Sequence, residues 1–317
     1  MALDKNKHLQ DVLSTHKISK EQALLDKHKV KRNEIDEALT EHFGSDIYKL
    51  FNSGSYAKNT AVNTKFDFDL MSPFKRDAFG TLEEMFNAVF DFLNEKYNTE
   101  AVVRKQKVSI GLEFYQDADG DVIKIDVVPG RELNKDQYKD DDKLNLYVHS
   151  QFGLFEQGNE HLRSNVKAQV ENIRSNADKD SLRKMIRLMK IWKIHNHKPA
   201  KSFLLELIII KAFEKKDITG DLWDKLKTVM EYIRDNIKTV SLPDPGNSGN
   251  NVADSMTEWD KNQMSTDMDF IITRVEDDAD NLPMYFPLNP KFPVEETKNS
   301  YGQKSPGISV PPPARFG

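Results

Sequence analysis

The sequence has 317 residues, of which 38% are hydrophobic, so the chain is long enough for two medium-sized domains with separate cores. It contains no cysteine, which excludes a disulfide framework, a zinc ribbon and a thiol nucleophile. The net charge of −5 argues against a long basic surface for coating nucleic acid. With no apolar run long enough for a membrane span or a signal peptide, we expect a cytoplasmic protein.

The first 43 residues place apolar side chains at helical spacing among many lysines and glutamates, which predicts one long amphipathic helix. Ser19 and Gln22 have the spacing of a capping box, in which two side chains bond the free N–H groups at a helix start.

A Gly-Ser turn follows at Gly54 and Ser55. The sequence after it, YAKNTAV, predicts a short helix. Free backbone N–H groups and the positive end of the helix dipole favour a bound anion at such a position. A Gly-Ser turn alone is common, so the signal depends on what lies near it.

The segment FDFDLM alternates apolar and acidic residues with the period of a strand. Phe66, Phe68 and Leu70 fall on one face, and Asp67 and Asp69 share the other, because successive strand side chains point in opposite directions.

A β-hairpin is predicted further along the chain. Residues 108–114 alternate, the run DADGD at 117–121 supplies a turn, and VIKIDVVPG alternates again up to Pro129 and Gly130. Asp126 is the lone acid among the apolar positions of that second strand.

The rest of the chain is predicted to be mostly helical. Residues 82–97 have helical spacing, and after the charged run at 139–143 everything up to about residue 240 is predicted to be helical. Another helix is expected over about 259–275. Most of the 13 prolines lie in residues 283–317, which predicts an extended, flexible tail.

Asp67 and Asp69 are the aspartates whose surroundings suggest chemistry. Pairs with the same spacing, such as Asp117 and Asp119, are frequent in this acidic chain and most are solvated turns. Two carboxylates on one face of an apolar strand repel each other unless they share a cation, although an exposed strand face is the simpler alternative. With Asp126 on a neighbouring strand, the three could hold two divalent ions for phosphoryl transfer.

Two other patterns resemble metal sites and are set aside. The turn at 117–121 has its glycine one place early for a calcium loop, and position 12 would be Val128 rather than a glutamate. His195 and His197 are two residues apart with no third ligand nearby, so they are interpreted as surface residues.

The Gly-Ser turn, the paired aspartates twelve residues later and a third aspartate on a later strand together resemble the polymerase β nucleotidyltransferase superfamily. Within it, GSYAKNTAV…FDFDLM, the long first helix and the helical second half are similar to the cGAS/DncV-like nucleotidyltransferases (CD-NTases) over roughly residues 15–275. The resemblance implies an α+β fold, with a polymerase β-like core of mixed or antiparallel sheet and a helical lobe, and the active site in the cleft between them. We expect a core over 1–160, a helical lobe over 161–282 and a tail over 283–317.

The resemblance also implies roles for individual residues. In the family, a lysine on one helix and a serine on the next reach the donor phosphates, and RLMKIWK followed by KSFLLEL places Lys190 and Ser202 there. Lys193 is the alternative, on nearly the same helix face. Gly54 and Ser55 would cradle the triphosphate. Without the resemblance, the lysines are equally well surface residues and Ser202 a helix cap.

The implied reaction is the synthesis of a cyclic di- or trinucleotide from nucleoside triphosphates, with release of pyrophosphate. Asp67 and Asp69 would bind one Mg²⁺ or Mn²⁺, and all three aspartates, with Asp126, a second. ATP or GTP, or pyrimidine nucleotides, would be the substrates. In the family the product serves bacterial anti-phage signalling (CBASS) by activating a downstream effector.

The chain ends PPPARFG, and in some such operons a ubiquitin-transfer-like partner joins the cyclase through its terminal glycine, here Gly317, to a target. A frayed terminus is the alternative. Three other functions stay open: extension of an RNA, nucleotidylation of a protein, and nucleotide sensing without turnover. No stable DNA binding and no membrane association are expected.

Overall fold

The computed structural model describes residues 2–65, 67–149 and 161–294. The α-helices are α1 Lys5–Thr15, α2 Gln22–Phe43, α3 Gly54–Ala57, α4 Leu82–Tyr97, α5 Tyr138–Asp141, α6 Val166–Arg174, α7 Lys179–His195, α8 Ser202–Lys215, α9 Leu222–Asn236, α10 Glu258–Asp277 and α11 Leu282–Tyr285. The strands are β1 Phe51–Asn52, β2 Phe68–Phe74, β3 Ala101–Lys105, β4 Ile110–Phe114, β5 Lys124–Glu132, β6 Leu144–Tyr147, β7 His161–Ser164, β8 Pro243–Asp244 and β9 Asn247–Asn251.

The central sheet carries the strands that the alternating patterns predicted. Among the described residues it has seven strands, with β1, β2, β5, β4 and β3 side by side, β6 paired to the end of β5, and β7 to β6. Strands β2 and β5 are parallel, and the other pairs are antiparallel. The mixed α+β fold class expected from the sequence is therefore confirmed.

Two large hydrophobic cores define two lobes. In the sheet lobe, Phe68 and Leu70 of β2 pack with side chains of α2 and α4 on one face of the sheet. In the helical lobe, α7 to α10 bury a second core that includes Trp192. Period-two alternation places Asp69 on the sheet face opposite the first core, so its side chain is directed away from Phe68 and Leu70.

The N-terminal segment contains two helices rather than the one long helix that was predicted. Helix α1 ends at Thr15, a 3₁₀ turn spans Ile18–Glu21, and α2 starts at Gln22. Leu9 and Val12 of α1 pack into the core of the helical lobe, whereas α2 packs on the sheet. The break between the helices therefore allows the N-terminal segment to contribute side chains to both cores. The predicted capping box is also wrong, since Ser19 lies inside the 3₁₀ turn and no side chain caps α2.

Three further boundaries differ from the predictions. The helix after the Gly-Ser turn ends at Ala57 instead of continuing through residue 62. Strands β6 and β7 occupy a stretch predicted to be helical, and because β7 pairs with β6, the sheet lobe extends to Ser164. The helical lobe thus starts with α6 rather than at residue 161.

The start of the proline-rich segment packs against the body of the protein, contrary to the prediction of an extended tail from residue 283. Phe286 is fully buried, and Asn289 is 7% exposed. The Asn289 amide N–H donates to Thr15 Oγ1 (3.2 Å), and its side chain donates to Asn63 Oδ1 (2.9 Å). Asn63 in turn donates to the Thr15 carbonyl (2.9 Å), so three distant segments meet at one buried polar junction. Residues 295–317 lie outside the described residues.

Candidate active site

Three aspartates lie together on one face of the sheet. The parallel register of β2 and β5 places Asp69 directly opposite Asp126, and Asp67 lies two residues before Asp69, just ahead of β2. Asp126 Oδ1 accepts a hydrogen bond from Gln106 Nε2 (3.1 Å). The aspartate triad that the sequence suggested is therefore present; Phe66, which was assigned to the opposite face, lies outside the described residues.

The triad is electrostatically unfavourable in the absence of a cation. Burial, together with Asp67 and Asp126, raises the pKa of Asp69 to about 7, while Lys58 and Lys190 oppose that shift. Burial and the nearby Asp67 raise the pKa of Asp126 to about 6. Such crowding of acidic groups is typical of functional sites, where a bound cation relieves the repulsion.

The Gly54 turn approaches the triad closely. Gly54 has φ +61°, in the left-handed region, and a side-chain carbon at this position would overlap the Asp69 carboxylate. The amide of Ser53 donates to the Asp69 carbonyl (2.8 Å), which fixes the turn to β2. Only glycine fits at position 54, because it combines the required backbone angle with the absence of a side chain.

A cleft of about 680 Å³ opens beside the triad, between the two lobes. Five lysines and three carboxylates line it, which makes it locally positive in a chain of net charge −5. This balance suits an anionic ligand. The charged lining residues are Lys58, Lys65, Lys190, Lys193, Lys198, Asp67, Asp69 and Glu206.

A buried ion triad forms the floor of the cleft. The Glu206 carboxylate of α8 accepts hydrogen bonds from Lys190 Nζ of α7 and from Lys58 Nζ of the sheet lobe, each at 2.7 Å. Burial raises the pKa of Glu206, but the two ammonium groups outweigh that effect and hold it below its usual range. Two lysines on one glutamate leave one positive charge in excess, and Thr60 Oγ1 accepts a further bond from Lys190 (3.0 Å).

Lys193 and Ser202 meet at the side of the cleft. Lys193 Nζ donates to Ser202 Oγ (3.1 Å), and Ser202 is the first residue of α8 rather than its cap, which is Lys201. Burial, with Lys65 and Lys190 nearby, lowers the pKa of Lys193. Lys193 is half-buried whereas Lys190 is 4% exposed, so of the two predicted lysines Lys193 is the one directed to the cleft opening.

Sequence reasoning missed Lys58 and Glu206. A lysine in a polar turn carries no spacing signal. Glu206, by contrast, is a single acid inside the apolar run LLELIII, and such a residue is rarely buried without a charged partner. That pattern could have predicted the buried ion pair on α8.

The acidic turn at 117–121 is neutralised in part by a lysine side chain from α2. Asp117, Asp119 and Asp121 each offer a carboxylate oxygen within 4.8 Å of the other two, as a metal site would. Lys27 Nζ of α2 lies among them, at 2.7, 2.6 and 2.7 Å. The turn therefore attaches α2 to the sheet through Lys27.

The segment that holds the turn and the aspartate triad also has a family match. Residues 3–145 match the model of the Second Messenger Oligonucleotide or Dinucleotide Synthetase (SMODS) domain. The part of the chain that carries the turn and the triad is therefore similar to a SMODS domain. No curated protein sequence matches it.

Solved structures extend the similarity into the helical lobe. CdnG of Bradyrhizobium diazoefficiens, in complex with GTP, is 13% identical with a TM-score of 0.69, covering 90% of this chain and 96% of that one. CdnC of E. coli MS115-1 with ATP is 18% identical with a TM-score of 0.66, over 86% and 91% of the two chains. Vibrio cholerae DncV with the linear intermediate 5′ pppA(3′,5′)pG is 12% identical with a TM-score of 0.61, over 90% and 87%. These three structures share the fold of both lobes.

Proposed function

We propose that this protein is a nucleotidyltransferase that joins nucleoside triphosphates into a cyclic di- or trinucleotide in a divalent-metal-dependent reaction. The observation that carries the proposal is the position of three carboxylates, two on adjoining strands and one just ahead of β2, beside a lysine-lined cleft. The ATP, GTP and linear dinucleotide complexes of CdnC, CdnG and DncV support nucleoside triphosphates as substrates.

The donor set fits a hard divalent cation. Asp67, Asp69 and Asp126 offer only oxygen ligands, which Mg²⁺ and Mn²⁺ prefer, and their mutual repulsion would be relieved by a shared ion. When bound, two such ions would stabilise the charge that develops on the attacking and leaving oxygens of phosphoryl transfer.

The chain's own residues position the donor nucleotide. Gly54 and Ser55 line the cleft next to Asp69, where a triphosphate can approach the backbone without meeting a side chain at position 54. Lys193 and Ser202 lie at the side of the cleft as phosphate ligands, above the net positive floor. Because the electrostatic field is fixed before the substrate arrives, little reorganisation is needed during the reaction.

The proposed reaction is two successive nucleotidyl transfers. A ribose hydroxyl oxygen of the acceptor forms a bond to the donor α-phosphorus, and the bond between that phosphorus and the bridging oxygen to the β-phosphate breaks. Pyrophosphate leaves, and the hydroxyl proton passes to solvent. A second transfer within the linear product closes the ring.

The biological setting proposed for the enzyme is bacterial anti-phage signalling (CBASS) in the cytoplasm, in which the cyclic product activates an effector protein. None of the described helices is both long and apolar enough to cross a bilayer. The proposed conjugation through Gly317 concerns a position outside the described residues. CdnC of E. coli MS115-1 also forms a complex with HORMA-deltaN, so a protein partner is a reasonable addition to the assay.

The test is incubation of the purified protein with four radiolabelled nucleoside triphosphates and Mg²⁺ or Mn²⁺, followed by phosphatase treatment and chromatography. We expect a small phosphatase-resistant product that disappears in the Asp67→Ala/Asp69→Ala variant. The matched control, Asp117→Ala/Asp119→Ala, removes a pair of the same spacing outside the cleft and should keep the product.

Other labelled species would point to other functions. Label on an added RNA would identify an RNA-extending enzyme, and label on protein a protein-nucleotidylating one. Metal-dependent nucleotide binding without pyrophosphate release, with or without a partner protein, would contradict the proposal and favour a sensor.

A further inference from the structure

A row of cations holds the backbone that follows the Gly54 turn. Four consecutive carbonyls, those of residues 57–60, each accept a hydrogen bond from a cationic side chain of α6 or α7. The pairs are Arg174 Nη2 to Ala57 O (3.3 Å), Arg183 Nε to Lys58 O (3.2 Å), Arg187 Nη1 to Asn59 O (3.4 Å) and Lys190 Nζ to Thr60 O (3.3 Å).

This stretch of backbone needs outside support. Helix α3 has four residues, too few to be stable alone, and the carbonyls at a helix end have no intrahelical partners. Asn59, just beyond the helix, has φ +58°, a left-handed conformation that is uncommon for residues with a side chain but that asparagine adopts more readily than most. The cations satisfy carbonyls that would otherwise be unpaired, and they complement the negative end of the helix dipole.

Three of the four cations lie on one face of α7. Arg183, Arg187 and Lys190, here called the cation row, are spaced at i, i+4 and i+7, so they form a single stripe along the helix. Their proximity is costly. Burial, with Arg183 nearby, lowers the pKa of Arg187, whose Nε has no hydrogen-bond partner among the described residues. Three cations on one stripe repel one another, and their shared feature is the hydrogen bonds to the carbonyls of residues 58–60, which points to a role at that backbone.

The row connects the helical lobe to the phosphate-binding turn of the sheet lobe. Its carbonyl partners, those of residues 58–60, start four residues after Gly54, and the amide of Thr60 donates back to the Ser55 carbonyl (3.0 Å). The backbone held by α7 is thus continuous with the turn that faces Asp69. A displacement of residues 57–60 would move Gly54 and Ser55 with it.

We propose that Arg183 and Arg187 are positioning residues for the donor nucleotide, which hold residues 54–60 in the conformation that accepts a triphosphate. They act through the backbone and do not touch the substrate. The inference rests on the proposed function, because it assumes that the turn at Gly54 binds the donor phosphates.

The test compares Arg187→Met with the conservative Arg187→Lys and with Lys184→Met, which removes an exposed lysine from the same helix. Affinity for a non-hydrolysable ATP analogue is measured by calorimetry with Mg²⁺, and amide hydrogen exchange is followed for peptides covering residues 53–62. For Arg187→Met we expect affinity to fall by about tenfold or more and exchange to increase in that peptide. Arg187→Lys should recover part of the affinity, and Lys184→Met should change neither quantity.

The outcomes separate this inference from the proposed function. If the wild-type protein does not bind the analogue, the proposed function fails. If the wild-type protein binds it and Arg187→Met binds equally well, the positioning role is wrong. If Arg187→Met loses affinity while exchange rises uniformly across the chain, Arg187 has only a general structural role. The exchange measurement is then repeated on Arg183→Lys, which keeps a cation at the neighbouring position of the row.

Discussion

At the residue scale, two glycines in the left-handed region have different surroundings. A side chain at Gly54 would overlap the Asp69 carboxylate, whereas nothing lies within 4 Å of the same position at Gly44, where φ is +53°. Both positions require glycine for backbone reasons, but only one requires it for space.

We therefore expect Gly54→Ala to reduce nucleotidyl transfer by about 100-fold or more, because it displaces a triad carboxylate. Gly44→Ala should cost about 1–3 kcal/mol of stability from backbone strain alone and retain turnover per folded molecule. Steady-state kinetics and thermal unfolding of both variants check this. Equal activity losses would mean that strain, rather than the overlap with Asp69, explains the effect.

At the element scale, helix α7 carries two lysines whose hydrogen-bond partners differ in a way that its sequence could not reveal. Lys190 and Lys193 are three residues apart and lie on similar faces of an amphipathic helix, so helical periodicity alone makes them equally good candidates for the phosphate-binding lysine. The partner that distinguishes them, Glu206, is sixteen residues away on α8. A pairing between helices cannot be inferred from the spacing within one of them.

This division gives a prediction for the two lysines. Lys193→Met should raise the KM for the nucleotide about tenfold, the value of one charge-assisted hydrogen bond, with little change in the melting temperature. Lys190→Met should destabilise the fold by about 1–3 kcal/mol, because Glu206 stays buried with one partner fewer. Kinetics and calorimetric melting of the two variants provide the measurement. A large melting shift in Lys193→Met, or none in Lys190→Met, would contradict the assignment.

Elements with a strong internal period were predictable from the sequence. Strand β2 and the β4–β5 hairpin alternate cleanly, and α4 matches its predicted bounds of residues 82–97. Strands β6 and β7 have four residues each, too few for an alternating pattern to stand out from the neighbouring helical patterns. The break between α1 and α2 was missed because apolar residues on both sides keep helical spacing while packing into different cores.

At the scale of the whole molecule, the triad links stability to pH. Asp69 has a pKa of about 7 in the folded protein, above the value of about 3.9 in an unfolded chain. Between these values the folded state binds more protons than the unfolded state, so the stability that depends on this group falls as pH rises and is lowest above pH 7. Asp126 contributes in the same direction, up to about pH 6.

Removing the buried charge should therefore stabilise the protein while it abolishes activity. We expect Asp69→Asn to melt about 2–5 °C above the wild-type protein at pH 8, and the difference to vanish near pH 4. Added Mg²⁺ should raise the melting temperature of the wild-type protein but not of the variant. Asp91→Asn, at an exposed position on α4, is the control and should behave as wild type. A variant less stable than the wild type at pH 8 would show that the ionised Asp69 carboxylate does not destabilise the folded protein.

The polar junction of Thr15, Asn63 and Asn289 has a consequence for how much of the chain the fold requires. It joins the end of the first helix, the segment after the Gly54 turn and the proline-rich segment. A protein shortened to end before Phe286 would open a cavity in the helical core and leave buried polar groups at Thr15 and Asn63 without their partner. Composition predicts an extended, flexible tail, but the start of this segment completes the helical core and the polar junction.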